Sequence, residues 1–493
     1  PAPNPFLPRS LALKAPRTPR LAKGVAAPPP EERRRDDRWR LLYRQDTEFG
    51  VPKAYSFVEL LTGYPRSSPR ASVLARLYEL LLADGLTEPL LYDARVAGLF
   101  FEFSLSSRGV QLFFGGYDDR LVDFVRATMA AVMAFQPAAD QARFDAQRDV
   151  MTRELESFST QQPYQQAGYW TGLATTIPDF TVQELQAALR GVRPADVGAF
   201  AARLWREERL YGLALCQGNL RPEEADALVG AVEAPLAFAP LPEAEWPAPA
   251  IVQIPVRSKG FGSAIIKDAM EAAEENSAVE ITFQAGLARS ASQAGRATWA
   301  AMQVLASALR DRYYAVLRTQ QQLGYIVSCS ADRREGVVRF ACMVQGTTLD
   351  PVGVVGRIDA FLAEARAELA RRSDQELQGI AAALADARLA RLTGLGQSVE
   401  RTWVEVKSRE FLWTRTVVEA EALRRVAKAD LLDVFDRFIA DGGPERRRLV
   451  TLVYGAAHRS QRRGAEAAVQ ALAGEALADP QAFANGRPRW PER

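Results

Sequence analysis

Two stretches of this chain follow one pattern, and a duplicated pattern leaves few architectures open. Leu189-Arg190-Gly191-Val192-Arg193-Pro194-Ala195-Asp196-Val197 lines up with Leu423-Arg424-Arg425-Val426-Ala427-Lys428-Ala429-Asp430-Leu431. Each copy leads into a predicted helix with an aromatic face, then a short apolar strand, Tyr211–Cys216 in the first copy and Leu449–Tyr454 in the second. Asp196 and Asp430 fall near the starts of these helices, where a carboxylate favours the positive N-terminal end. A repeat unit this long is a whole domain and not a solenoid module. Between the copies, Pro235, Pro240, Pro242, Pro247 and Pro249 disfavour both helix and central strand, which places a domain boundary at 235–250. At 493 residues the chain is also too long for a single hydrophobic core.

Periodicity fills in the two halves. Residues 1–37 are rich in Pro and Arg and read as a linker-like segment. The first domain, 38–234, opens with strand-like pieces at Trp39–Tyr43 and Ala54–Val58. A helix over Ser72–Ala83 follows, with Leu74, Leu77, Leu80 and Leu81 on one face. Two aromatic runs split by Ser107-Arg108-Gly109 predict a hairpin over Gly98–Gly116, ahead of helices at Asp119–Ala134 and Gln141–Ser157. The second domain, 251–457, repeats the plan: a strand at Ser277–Gln284, a helix at Thr298–Arg318, then a hairpin pairing Tyr325–Ser330 with Val337–Gln345. Helices at Val354–Arg371 and Asp374–Thr393 come next, and 458–493 reads as a C-terminal tail. The fold class is α+β: two homologous domains, each a mainly antiparallel sheet covered by helices.

Several function classes are excluded or disfavoured. The 62 basic and 60 acidic side chains nearly cancel, so no basic field draws the chain to nucleic acid. No run of about 18 apolar residues predicts a membrane span. Cys216, Cys329 and Cys342 are odd in number and show no paired short spacing, which fits a reducing compartment such as the cytoplasm. The start, Pro1-Ala2-Pro3-Asn4-Pro5, lacks a methionine and reads as an opened interdomain linker, so a fragment or processed piece is expected. There is one histidine, His458. Catalytic zinc usually takes two or three imidazoles, and a lone His without an orienting partner reads as a surface-loop residue. No metal is expected in this chain.

The segment Leu317-Arg318-Thr319-Gln320-Gln321-Gln322-Leu323-Gly324-Tyr325-Ile326-Val327 resembles the signature in the last domain of the insulin-degrading-enzyme (pitrilysin-type) branch of the inverted-zincin peptidases. Other matches run in order along the chain. Pro3-Asn4-Pro5-Phe6 resembles the start of the family's third domain. Leu86-Thr87-Glu88, Ala97-Gly98-Leu99 and Gly115-Gly116-Tyr117-Asp118 resemble its middle, and Gln162-Pro163-Tyr164-Gln165-Gln166-Ala167 and Gln217-Gly218-Asn219 lie further along. Gln321 departs from the pattern, since the family often has a glutamate there. The resemblance implies the third and fourth domains of a metalloendopeptidase, one half of a clamshell that closes around a peptide. Its zinc-binding His-x-x-Glu-His motif lies in an N-terminal half, in the same polypeptide or in a separate subunit. By the same resemblance, Tyr325 supports the oxyanion, Arg318 binds substrate or developing charge, and Tyr314 lines the pocket. Peptides are the expected substrates. The resemblance leaves homodimerisation open and also allows peroxisome, mitochondrion or periplasm; Trp490-Pro491-Glu492-Arg493 shows no Ser-Lys-Leu address.

The chemistry of these side chains is consistent with such roles. A phenol donates to an oxyanion without ionising, and a guanidinium offers several fixed donors. Gly324 is expected to relax the backbone beside the tyrosine. The plainer reading is that Arg318 complements a helix C-terminus and Tyr325 packs at a strand edge. Glu271, Glu274 and Glu275 read as a solvated turn, Trp403 and Trp413 as packing anchors, and Gly260-Phe261-Gly262 is too short for a phosphate loop. Arg446-Arg447-Arg448 and Arg462-Arg463 are either anion contacts or solvated surface. The alternative function is a stand-alone, catalytically inactive paralogue that binds peptides or acts as a scaffold.

Overall fold

The computed structural model describes residues 3–490; Pro1 and Ala2 of the expected linker, and 491–493 at the end of the expected tail, lie outside the described residues. The chain forms two compact units, and neither is one continuous piece. The first takes the chain up to Leu155, then Phe180–Pro249 and Arg391–Trp413. The second takes Glu156–Asp179, Ala250–Ala390 and the chain from Thr414 onward.

The first unit is built on β1 (Glu31–Arg35), β2 (Trp39–Gln45), β3 (Lys53–Leu61), β4 (Leu99–Ser106), β5 (Gly109–Tyr117) and β6 (Tyr211–Gly218), in the spatial order β1-β2-β6-β3-β5-β4. All neighbours are antiparallel except β2 and β6. Side chains alternate between the two faces, as a pleated strand requires. Ala214 and Cys216 of β6 join Trp39, Leu41, Val58 and Leu60 beneath the helices Pro69–Leu86, Leu121–Ala134 and Pro194–Arg206. Leu213 and Leu215 face the other way, onto Leu395, Val399 and Trp403 of the helix Leu395–Lys407. With both faces covered, every residue of β6 is buried, and each large apolar side chain so enclosed contributes roughly 1.5–3 kcal/mol.

The second unit uses β7 (Gly262–Asp268), β8 (Ser277–Leu287), β9 (Ile326–Arg334), β10 (Val337–Gly346), β11 (Arg448–Tyr454) and β12 (Gly474–Leu477), in the order β9-β10-β8-β11-β7-β12. Pairing is antiparallel except for the parallel pairs β11/β7 and β12/β7. Five strands match the first unit one for one, including the parallel pair (β2/β6 and β7/β11). The edge strand differs: β1 supplies it in one unit and β12 in the other. The segments expected as linker (1–37) and tail (458–493) therefore each contribute a strand to a sheet. Their short, polar-flanked runs hide strands that exist only because a parent sheet offers an open edge.

The repeated aspartates do the same work twice. Asp196 sits in the first turn of helix Pro194–Arg206 and accepts from the Arg193 backbone N–H at 2.8 Å. Asp430 sits likewise in Lys428–Phe438 and accepts from Ala427 N–H at 2.8 Å. The bond from Arg193 holds the Asp196 carboxyl below its ordinary range.

All three cysteines are free and buried, and Cys329 faces Cys342 across the β9/β10 hairpin. Burial pushes the Cys216 and Cys329 thiols up to about 12 and Cys342 well above its ordinary value. The thiolate is the nucleophile, so at pH 8 its fraction is on the order of 10⁻⁴ and access is also blocked. A disulfide reagent at pH 8 is expected to label no thiol in the folded protein and all three after guanidinium. Labelling of the folded chain within minutes would contradict this burial.

Candidate functional site

The three residues picked out from the sequence come together in the second unit. Helix Gln293–Tyr314 is capped by Ser292, whose hydroxyl accepts from Gly295 N–H at 3.2 Å, and passes into a wide π-type turn over Ala315–Gln320. Such turns recur at functional sites. Here the turn anchors Leu317 in the core while Arg318 emerges half-buried. Tyr314 lies one helical turn earlier, at the i,i+4 spacing that brings side chains together. Arg318 Nη1 donates to the Tyr314 hydroxyl. The Arg318 guanidinium carbon lies 4.8 Å from the Tyr314 ring centroid and 4.6 Å from that of Tyr325. Two such cation–π contacts contribute about 0.5–1 kcal/mol each at an exposed site. Tyr325 is 75% exposed.

The loop between Arg318 and Tyr325 is held at both ends. Gln321 N–H donates to Val316 O at 2.9 Å and Leu323 N–H to Leu317 O at 2.9 Å, while Thr348 Oγ1 donates to Gln322 O at 2.7 Å. Leu323 is buried. Gly324 serves this arrangement differently from the expected backbone relaxation: its φ is not in the left-handed region, but a Cβ there would lie 1.8 Å from Gln345 O. Gly346 is equally hemmed in, with a virtual Cβ 2.1 Å from Leu323 O. The loop thus lies directly against the end of β10. Tyr325 stands one residue before β9, whose Ile326 pairs with Gln345.

Sequence reasoning missed the residues that brace this loop. The Gln345 side chain accepts from Tyr164 N–H at 2.8 Å and donates to Gln162 Oε1 at 3.0 Å, tying the start of helix Pro163–Thr175 to β10. The sequence signal was present, because Gln162-Pro163-Tyr164 was singled out, but nothing local told which strand it would meet. Gln321, where the family often has glutamate, has a buried side-chain oxygen without a hydrogen-bond partner.

Two other readings are corrected. His458 is buried, not a surface-loop residue, because its Nδ1 lies 2.9 Å from Ser277 Oγ, which also accepts from Gly455 N–H. Arg446 and Arg448 are 2% exposed and not solvated surface: Arg448 opens β11, inside its sheet, and Arg446, two residues before that strand, turns in to donate to Ile439 O and Gly260 O. Zinc does not fit the donors among the described residues. His458 is engaged by Ser277, the thiols are buried in strands, and among the described residues no group of three His, Cys, Asp or Glu side chains could hold a metal ion. No helix among them is long and apolar enough to cross a membrane.

Known proteins share this build. Residues 1–188 match the middle or third domain of peptidase M16, and residues 304–403 match domain 4 of the C-terminal lobe of PqqF-like proteins of PQQ synthesis. The peroxisomal insulin-degrading enzyme-like 1 of Arabidopsis thaliana is 26% identical over 461 residues, covering 93% of this chain and 46% of that protein. Human insulin-degrading enzyme is 26% identical over 414 residues, covering 83% of this chain and 39% of that protein. Crystalline pitrilysin superposes over 100% of this chain and 49% of its own, with a TM-score of 0.83 at 19% identity. A chain from Pseudomonas fluorescens described as a peptidase M16 inactive domain superposes over 85% of this chain and 96% of its own, with a TM-score of 0.60 at 13% identity. The chain spans less than half the length of these curated relatives. Paired α+β units with these relatives define the class as peptidase-type tandem domains. In sequence and in fold the chain matches the C-terminal half of peptidase M16 proteins.

Proposed function

We propose that this chain is the non-metal-binding C-terminal half of a zinc metalloendopeptidase that degrades peptides in an enclosed chamber. The observation that carries the reading is the Tyr314–Arg318–Tyr325 cluster, two exposed phenols joined through one guanidinium on a braced loop. In this reading the first unit is the family's third domain and the second its fourth. The N-terminal half, in the same polypeptide or as a separate subunit, holds the zinc that supplies hydrolytic chemistry. Arg318 binds the substrate backbone through its planar donors, Tyr314 orients Arg318, and the Tyr325 hydroxyl donates to the oxyanion of the tetrahedral intermediate. Three buried free thiols accord with a reducing compartment, and we place the protein in the cytoplasm.

The test combines this chain with an M16 half that carries His-x-x-Glu-His and follows cleavage of a quenched fluorescent peptide. Cleavage is expected only when both are present. Chelator-sensitive cleavage by this chain alone, with stoichiometric zinc, would overturn the proposal. A second reading, a stand-alone inactive paralogue serving as a peptide-binding or scaffold subunit, draws on the Pseudomonas fluorescens chain, which is described as inactive and has nearly this extent. Peptide binding without any gain of cleavage in the mixture would favour that reading.

A further inference from the structure

A cavity of about 390 Å³ in the second unit shares no residue with the tyrosine–arginine cluster. Its wall is apolar at Phe261, Leu362 and Phe435 and cationic at Arg446 and Arg448. Both arginines are withdrawn from solvent at 2% exposure. Arg446 donates to neutral carbonyls: Nε to Ile439 O at 3.3 Å, and Nη1 to Gly260 O at 2.8 Å and Arg257 O at 3.3 Å. Its nearest carboxylate on the wall, Asp441, is 3.8 Å away, largely exposed, and already accepts from Gly260 N–H at 3.0 Å. Arg448 donates through Nη2 to both oxygens of Asp359, at 2.9 and 3.1 Å, and its guanidinium carbon lies 5.5 Å from the Phe261 ring centroid. The Nε of Arg448 is buried and has no hydrogen-bond partner. The third arginine of the wall, Arg366, is matched in full by Asp436, at 2.7 Å through each of two bonds.

Each buried cation thus has one carboxylate, Asp359 in direct contact with Arg448 and the more distant Asp441 beside Arg446, and both carboxylates face solvent, with side chains 43% and 68% exposed. A buried donor of a charged group left without an acceptor, as Arg448 Nε is, is unfavourable, and an anion entering the cavity supplies the acceptor. Burial, and then Arg448, pull the Arg446 guanidinium down to about 10 against the opposing influence of Asp441 and Asp359. The two aspartates beside these arginines reach solvent while both guanidiniums are buried, and a singly charged carboxylate meets that inner positive edge at a lower desolvation cost than a doubly charged phosphate. The apolar wall suits a hydrocarbon or aromatic group, and the volume falls in the range of small-molecule pockets. We infer that this cavity binds a small carboxylate bearing an apolar group, its carboxylate at Arg446 and Arg448 and its apolar part against Phe261, Leu362 and Phe435. Two sources share that chemistry: a peptide's own α-carboxylate behind a large apolar last residue, and a free organic acid.

Titration calorimetry on the full chain tests this with N-acetyl-phenylalanine, decanoate, inorganic phosphate and the neutral N-acetyl-phenylalaninamide. Saturable binding of at least one of the two carboxylates is expected, with the amide and phosphate about tenfold weaker or silent. The tighter of the two acids identifies the source. Ala363→Trp, at an exposed position that lines the cavity, is expected to weaken binding at least about tenfold while leaving the thermal midpoint in place. Arg446→Gln, which retains a donor for the carbonyls, is expected to do the same if it folds; Ala363→Trp keeps the test valid if it does not. No saturable binding of either acid, equal binding of the amide, tighter binding of phosphate, or an unchanged affinity in Ala363→Trp would each overturn the inference.

Discussion

Tyr325→Phe in the mixture with the zinc-bearing half is expected to lower kcat by about 10²–10³-fold while KM changes little. Loss of one oxyanion donor has an effect of roughly that size. The split follows because the oxyanion exists only in the transition state, so its donor contributes to turnover and not to ground-state binding. The substitution removes one oxygen from a side chain that is 75% exposed, and the fold does not depend on it. A thermal midpoint equal to that of the parent separates a catalytic loss from a structural one. Arg318→Lys is the companion variant. It keeps the charge but loses the flat surface stacked near both rings, so KM is expected to rise. An unchanged kcat in Tyr325→Phe would remove that residue from the mechanism and leave Arg318 to binding alone.

The largest stability effect is expected at Arg108→Ala, far along the chain from that cluster. Glu59 on β3 has a fully buried side chain, and Arg108, in the turn between β4 and β5, meets it with two bonds of 3.0 and 3.1 Å. Arg108 Nη2 also donates to Lys407 O at 2.7 Å, and Gln111 Nε2 lies 3.3 Å from Glu59 Oε1. Removing the arginine leaves a carboxylate without its cation inside the unit, a loss of about 3–5 kcal/mol. For a unit of this size that lowers the thermal midpoint by on the order of 10 °C. The double variant Glu59→Leu with Arg108→Met is expected to recover much of the loss, because it removes both charges together. Calorimetry of the three proteins measures it, and a midpoint within a degree or two of the parent in Arg108→Ala would show that Glu59 is satisfied without its arginine.

What the sequence made legible and what it did not follow from the range of the forces involved. Local patterns were readable: the helix expected over Ser72–Ala83 runs from Pro69 to Leu86, and the hairpin expected after Gly324 forms with Cys329 opposite Cys342. The Arg318–Tyr325 pairing was readable because a helix end and a strand start lie a few residues apart. Long-range partners were not. His458 looked exposed because Ser277, which holds it, is remote in sequence. Arg446 and Arg448 looked solvated because nothing local reveals that the strand Arg448 opens runs between two others, or that Arg446 meets the carbonyls of Ile439 and Gly260. The bracing of the loop by Gln162 and Tyr164 was hidden for the same reason, as was the destination of helix Pro163–Thr175.

That helix and Leu395–Lys407 are each packed in the unit whose main body lies on the other side of the proline-rich stretch. The arrangement sets a timetable for synthesis. When residue 249 leaves the ribosome, the strand β6 has Leu213 and Leu215 bare on one face, and the helix that shields them is not yet made. At ordinary elongation rates the wait until Trp413 emerges is on the order of 10–30 s, long enough for an uncovered apolar sheet to attract other chains. The nascent polypeptide therefore finishes its first half only after most of its second half has been translated.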